Sequence, residues 1–289
     1  MTDVVYVTHE PDPATESPDV DTDLDVALAA FAWEGISFEV AAWDDHGFDW
    51  SDAGLVLVRS PWDYVLRRRE FLEWARDVST LSRLENPAEV LEANTDKTYL
   101  RELADRGVPV VPTGWVAKPD DADAVVAQVR AVHGPRVVVK PTISAGARDT
   151  ILTADPVEAV GHARAVVASG RGAMVQPYLE SVADEGETSV LVIDGEITHA
   201  VRRRPALTEG GTGADGTLTV LTDELRGMAE RVIAASGADK LLYARVDVGR
   251  GADGALALLE LELTEPTLFL TLHPDAARVL AAGVAARLP

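Results

Sequence analysis

The sequence predicts a mixed α/β and α+β protein in which an open α/β lobe precedes two α+β lobes. Three observations predict it. The first third alternates short β-branched runs with an amphipathic helical segment, whereas the last third carries two hairpin patterns. Between them, Val108-Pro109-Val110-Val111-Pro112 forces extended chain after a helix stop at Gly107. A length of 289 residues with 47% apolar positions supplies one large core or two to three smaller ones.

In order along the chain, residues 4–8 (VVYVT) read as a strand, 21–33 as a helix with acidic residues at its start, and 38–42 and 55–59 as further strands. In an open α/β layer ligands lie beyond the carboxyl ends of the strands, which singles out residues 8–10 and 59–64. A helix at 71–78 and a short strand at 81–84 close this lobe. Residues 94–106 (NTDKTYLRELADR) read as one helix capped by Asn94. Strands follow at 114–117, 137–140, 150–152 and 174–176, with a helix at 156–168. Residues 188–193 and 197–201 flank an Asp194-Gly195 turn, a strong hairpin signal. After a helix at 223–235, strands at 243–248 and 256–263 form a second hairpin. The expected lobes are residues 1–92, 93–180 and 181–289.

Composition narrows the function. With no cysteine there is no disulfide scaffold and no thiolate chemistry, which suits a reducing compartment. No apolar run approaches the roughly 20 residues of a membrane helix, and the start, MTDVVYVTHE, lacks the pattern of a secretory signal. A cytoplasmic location is therefore expected. The formal charge of −22 repels polyanions, so nucleic acid is not an expected partner. Gly211, Gly213 and Gly216 satisfy G-x-G-x-x-G, but no strand enters them and no helix opens there, so they are a loop, not a dinucleotide fingerprint.

Glu260 and Glu262 sit two apart in an otherwise apolar strand, so both carboxylates point to one face. They are either a solvated polar face or the hard oxygen ligands of Mg²⁺, with Asp247 on the preceding strand as a third. Asp247 shares that face only if the connecting loop is even, such as 251–254, or the pair is bulged. Lys140 ends the run RVVVKP, where a buried ammonium needs an anion such as phosphate; the alternative is an exposed strand end. Lys97 on its own evidence is an exposed helix residue. VQPYLE, with Glu187 beyond it, offers a strand edge able to meet an adenine, or is an ordinary strand terminus. SAGAR (144–148) is a thin glycine loop. Arg202, Arg203 and Arg204 form a basic island, either turned to a phosphate or solvated at a hairpin end.

Taken in order, NTDKTY, VVVKP, VQPYLE with GETS, ARVDV and LELELTEP resemble the ATP-grasp superfamily. That resemblance implies an ATP-grasp fold, two α+β lobes enclosing ATP behind the N-terminal α/β lobe. By it, Lys97 and Lys140 hold the ATP phosphates, Gln176, Pro177, Tyr178, Leu179 and Glu180 line the adenine hinge, and Glu187 meets the ribose. Asp247, Glu260 and Glu262 hold Mg²⁺, and Arg245 steadies the transferring phosphate with Arg203 or Arg204. Two departures stand out: Glu262 occupies a metal position usually held by asparagine, and the phosphate loop is reduced to SAGAR. RSPWDY, DGEITHAV, RVDVGRGADG and LELELTEPTLFL extend the similarity to the cyclo-ligase family that converts O-ureido-D-serine to D-cycloserine. This implies a small amino-acid-like substrate phosphorylated on its carboxylate and closed by nitrogen attack. Arg59, at a strand's carboxyl end, would clamp its carboxylate or is instead salt-bridged at the surface; Asp63 would meet its amino group, and Ser60, Tyr64 and Glu265 would line the rest of its site. The superfamily implies a homodimer. An intermolecular carboxylate-amine ligase, a kinase and a non-catalytic nucleotide-binding module remain as alternatives.

Overall fold

The computed structural model describes residues 2–10, 20–204, 216–237 and 240–289. Its N-terminal layer contains β1 (Thr2–Thr8), α1 (Leu24–Trp33), β2 (Phe38–Ala42), β3 (Ala53–Ser60), α2 (Arg68–Leu81) and β4 (Arg83–Glu85). These strands form a parallel sheet in the order β2-β1-β3-β4. Its central strands are apolar on both faces, as crossover helices require.

The expected single helix at 94–106 is instead two. α3 (Ala88–Asn94) ends at Asn94, and α4 (Tyr99–Asp105) begins after a turn. The reason lies in Asn94: its amide donates to the Leu261 carbonyl at 2.8 Å and accepts from the Leu263 amide at 2.7 Å, so it is not free to cap a helix. The turn itself is tied by the Lys97 amide donating to Thr142.

A second sheet, ordered β5-β8-β6-β7, is antiparallel and comprises β5 (Gly114–Val116), β6 (Val137–Pro141), β7 (Ile151–Thr153) and β8 (Ala173–Pro177). α5 (Ala122–His133), not anticipated from sequence, and α6 (Pro156–Ala168) cover one of its faces and give it a core of its own. α6 begins at a clear signal, Asp155 accepting from the Val157 amide with Pro156 at the first helical position.

The third sheet follows the short α7 (Glu180–Glu185). It contains β9 (Glu187–Ile193), β10 (Glu196–Arg203), β11 (Gly216–Thr219), β12 (Tyr243–Arg250) and β13 (Leu256–Glu262), ordered β11-β10-β9-β12-β13. Asp194 and Gly195 turn the β9–β10 hairpin with φ of +50° and +79°, the two left-handed positions of the tight primed turn. α8 (Asp223–Ser236) packs on one face against Val190, Val192, Val246 and Leu261. The other face changes character along its length. Leu191, Ile193, Val201 and Tyr243 join Val4, Tyr6, Leu55 and Leu57 of the first sheet in a shared core, closed by α9 (Pro274–Ala285). Beyond that core the same face carries Arg203, Ser189, Arg245, Asp247, Glu260 and Glu262.

Candidate active site

That charged half-face is the most polar buried region described. Period-two alternation places Arg245 and Asp247 on one side of β12, and the ladder sets Arg245 opposite Glu262 and Asp247 opposite both Glu260 and Ser189. The loop at 251–255 is odd, not even. A register shift between Asp247 and Val248 skips Leu259 and restores the match, so the bulge supplies the common face.

Each carboxylate meets a cation. Arg245 donates from Nε to Asp247 at 3.0 Å and from Nη2 to Asp247 at 3.0 Å and to Glu262. Arg203 donates to Asp247 at 2.7 Å, to Ser189 Oγ at 2.8 Å and to Glu187 at 3.2 Å. Ser189, which the sequence reasoning passed over, donates its hydroxyl to Asp247 at 2.6 Å; its signal was its place two residues beyond Glu187. Lys97 lies 3.0 Å from Glu260 and also donates to the Ser144 carbonyl, and it is 7% exposed. The expectation of an exposed Lys97 on a helix is thus corrected, because the turn before α4 folds it inward. The three carboxylates expected around one metal do not converge, and no such cluster of three exists among the described residues. Asp247 and Glu262 are drawn to Arg245, while Glu260 is drawn to Lys97.

The electrostatics show an excess of acid. Burial pushes Glu262 up to about 8; Arg245 opposes this, but Asp247, Glu260 and Glu265 add repulsion. Burial likewise raises Glu265 to about 7, against the hydrogen bond it accepts from Tyr64 and the charge of Lys97. Burial acts against ionised Asp247, yet Arg203 and Arg245 outweigh it and hold that carboxyl below the usual range. Burial lowers Lys140, with Glu260 opposing and Lys97 reinforcing the shift. Hard oxygens in such surplus fit a divalent cation, which relieves the repulsion between them.

Around this row the other expected residues fall into two groups. Tyr64 is buried with its hydroxyl on Glu265, and Trp62 donates to the Glu265 carbonyl at 3.2 Å, so the first lobe reaches the end of β13. Gln176 is buried and donates to Thr113 at 2.9 Å, and Pro177 ends β8. The Tyr178 amide donates to the Arg136 carbonyl at 3.0 Å, and Leu179 lies against Gly249. Glu180 forms a two-oxygen pair with Arg136, leaving its carboxylate engaged at the surface. Gly186 has φ of +85° and a backbone so close to the Arg203 carbonyl that a Cβ would collide, which sets Glu187 beside Arg203.

Other expected contacts are not formed. Arg59 does not open to a substrate: the β1–β3 register passes from Val7↔Val58 to Thr8↔Ser60, skipping Arg59 and turning it inward. It is 2% exposed, donates to the Pro266 carbonyl at 2.6 Å and lies over the Tyr243 ring at 4.5 Å. Ser60 is buried as well. Asp63 is engaged by Trp43 Nε1 at 2.7 Å and by Arg67, not by an incoming amine. Arg204 is exposed while strand alternation places Arg203 inside; residues 205–215, with Gly211 and Gly213, lie outside the described residues, and Gly216, expected in a loop, opens β11.

No helix among the described residues is long and apolar enough to cross a membrane. A family model described as the N-terminal domain of D-cycloserine synthetase DcsG matches residues 4–86. The cycloserine biosynthesis protein DcsG of Streptomyces lavendulae is 38% identical over 285 residues, covering 93% of this chain and 95% of that protein. The crystal structure of D-cycloserine synthetase DcsG matches with a TM-score of 0.90 and 35% identity, over 99% of both chains. A RimK domain ATP-grasp protein from Sphaerobacter thermophilus has the same fold, at a TM-score of 0.68 and 17% identity over 99% of both chains. Sequence identity across nearly the whole chain and the superposed fold agree: the chain belongs to the D-cycloserine synthetase DcsG family of ATP-grasp ligases.

Proposed function

We propose that the protein phosphorylates the carboxylate of an O-ureido-serine-like amino acid with ATP and closes the ring by attack of the substrate's own nitrogen. The observation that supports this most is the charged half-face: four acidic and three cationic side chains of β9, β10, β12, β13 and the turn before α4 compensate one another. Such a set suits polyphosphate and its counter-ion, while Tyr64 of the first lobe adjoins it through Glu265, just beyond β13.

In this reading Lys97 and Lys140 bind ATP phosphates and backbone at residues 176–180 flanks the adenine, with Glu187 near the ribose. Asp247, Glu260 and Glu262 would hold Mg²⁺ once Arg203 and Arg245 turn from them to phosphate oxygens. Mg²⁺ when bound supplies charge neutralisation on the transferring phosphoryl group. A substrate carboxylate oxygen attacks the γ-phosphorus in line and ADP leaves; the guanidiniums of Arg203 and Arg245 stabilise the charge that develops. Glu265, oriented by Tyr64, receives the substrate ammonium. The nitrogen then attacks the acyl carbon, phosphate departs, and confinement in one cleft supplies the proximity.

The test is ADP release with Mg²⁺ and ATP across amino acids and their O-ureido derivatives, singly and in pairs, with mass spectrometry of products. Turnover on one substrate with a ring-closed product supports the cyclisation. Turnover only with two substrates replaces it by an amide-forming ligase, and absence of ADP release removes both.

A further inference from the structure

We propose that His9 is a catalytic residue of the ring-closing step, taking up on Nε2 the proton that the attacking nitrogen gives up; this rests on the reading just stated. His9 follows β1 at the carboxyl end of the parallel sheet, where ligands of open α/β layers lie. The register shift that buries Arg59 also brings the His9 ring onto the Ser60 carbonyl, with Nδ1 at 2.9 Å. A carbonyl oxygen only accepts, so Nδ1 carries the hydrogen and Nε2 of the neutral ring carries a lone pair. Among the described residues no protein group hydrogen-bonds Nε2.

The ring is held from the side by Trp62, with centroids 5.8 Å apart, and Trp62 donates to the Glu265 backbone. Through Trp62, His9 adjoins the segment that carries Glu265, the acid that the reading above gives to the substrate ammonium. In that reading the nearby carboxylates are committed, Asp247, Glu260 and Glu262 to Mg²⁺ and Glu265 to the substrate ammonium. When the acyl carbon–nitrogen bond forms, the electron pair of the carbon–oxygen bond leaves with phosphate and the nitrogen must lose one proton. Nε2 is the lone pair in place to accept it, and it passes the proton on to water or the departing phosphate.

His9→Asn, which keeps an amide hydrogen for Ser60, and His9→Gln separate the two half-reactions in the full-length protein. Exchange of ¹⁸O between the bridging and non-bridging positions of ATP, dependent on the amino-acid substrate, reports carboxylate phosphorylation alone. In both variants this exchange should stay within about threefold of wild type, while ring-closed product falls roughly 10²–10³-fold. Unchanged ring closure, or exchange and closure falling together in both folded variants, overturns the role of His9. Wild type that shows neither exchange nor ring-closed product overturns the cyclisation reading itself, and this inference with it.

Discussion

Asp247 faces Glu260 directly across β12 and β13 because Leu259 is skipped in the ladder. An odd loop followed by a single bulge thus achieves what an even loop achieves without one, and the acids meet on the face that also carries Arg245. If these carboxylates hold Mg²⁺, Glu260→Gln or Asp247→Asn should raise the Mg²⁺ concentration needed for half-maximal ADP release by roughly tenfold or more. A Mg²⁺ titration at saturating ATP checks this, and an unchanged midpoint in both variants removes them from the metal site.

Arg245 is buried and shared between Asp247 and Glu262. Arg245→Met leaves both acids short of a counter-charge and should cost about 3–5 kcal/mol in urea unfolding. The same change made in a Glu262→Gln background should cost at least about 1 kcal/mol less, since one stranded acid is gone. Equal costs in the two backgrounds would show that the pair is not coupled.

His199 is buried against His273, their rings stacked at 4.9 Å, with Nε2–H donating to Leu268 at 3.1 Å and Nδ1 accepting from Thr198 at 2.9 Å. Burial, helped by His273, lowers its pKa from 6.5 to about 4. The unfolded chain therefore takes up the proton first, and the stability contributed above pH 6.5 is lost as pH falls toward 4, on the order of 2 kcal/mol. In urea unfolding, the stability gap between wild type and His199→Asn should narrow over that window. A gap independent of pH would show that His199 titrates alike folded and unfolded.

Asn86 joins the first lobe to the last. Its amide donates to the Tyr243 carbonyl at 3.0 Å and the Leu263 carbonyl at 2.7 Å and accepts from the Leu242 amide at 3.2 Å. Asn86→Ala strands three buried backbone groups and should cost roughly 3 kcal/mol or more. Hydrogen exchange should show the loss at residue 242; protection unchanged there would mean that water replaces the amide.

The strands were legible because their signals are local. Apolar alternation and the Asp194-Gly195 turn found β9 and β10, and the spacing of Glu260 and Glu262 found the charged face. Arg59 was misjudged because what engages it, Pro266 and Tyr243, comes from distant chain, and Asp63 because Trp43 joins the local pair it makes with Arg67. Asn94 carried an ordinary helix-cap signal, but its partners, Leu261 on β13 and Leu263 just beyond it, lie some 170 residues away, beyond any local pattern. α9 was missed for a similar reason: its apolar side is matched to α1 and β9.

The first and third sheets are welded through one shared core, whereas the sheet β5-β8-β6-β7 has a second core under α5 and α6 and meets the third sheet through Met174 and Trp115. Glu260, Glu262, Asp247, Tyr64 and His9 all stand on the welded pair, so one block of packing fixes their mutual alignment. Lys140 on β6 is seated on the other block, so a substitution that loosens α5 or α6 unsettles this lysine before it unsettles the acids.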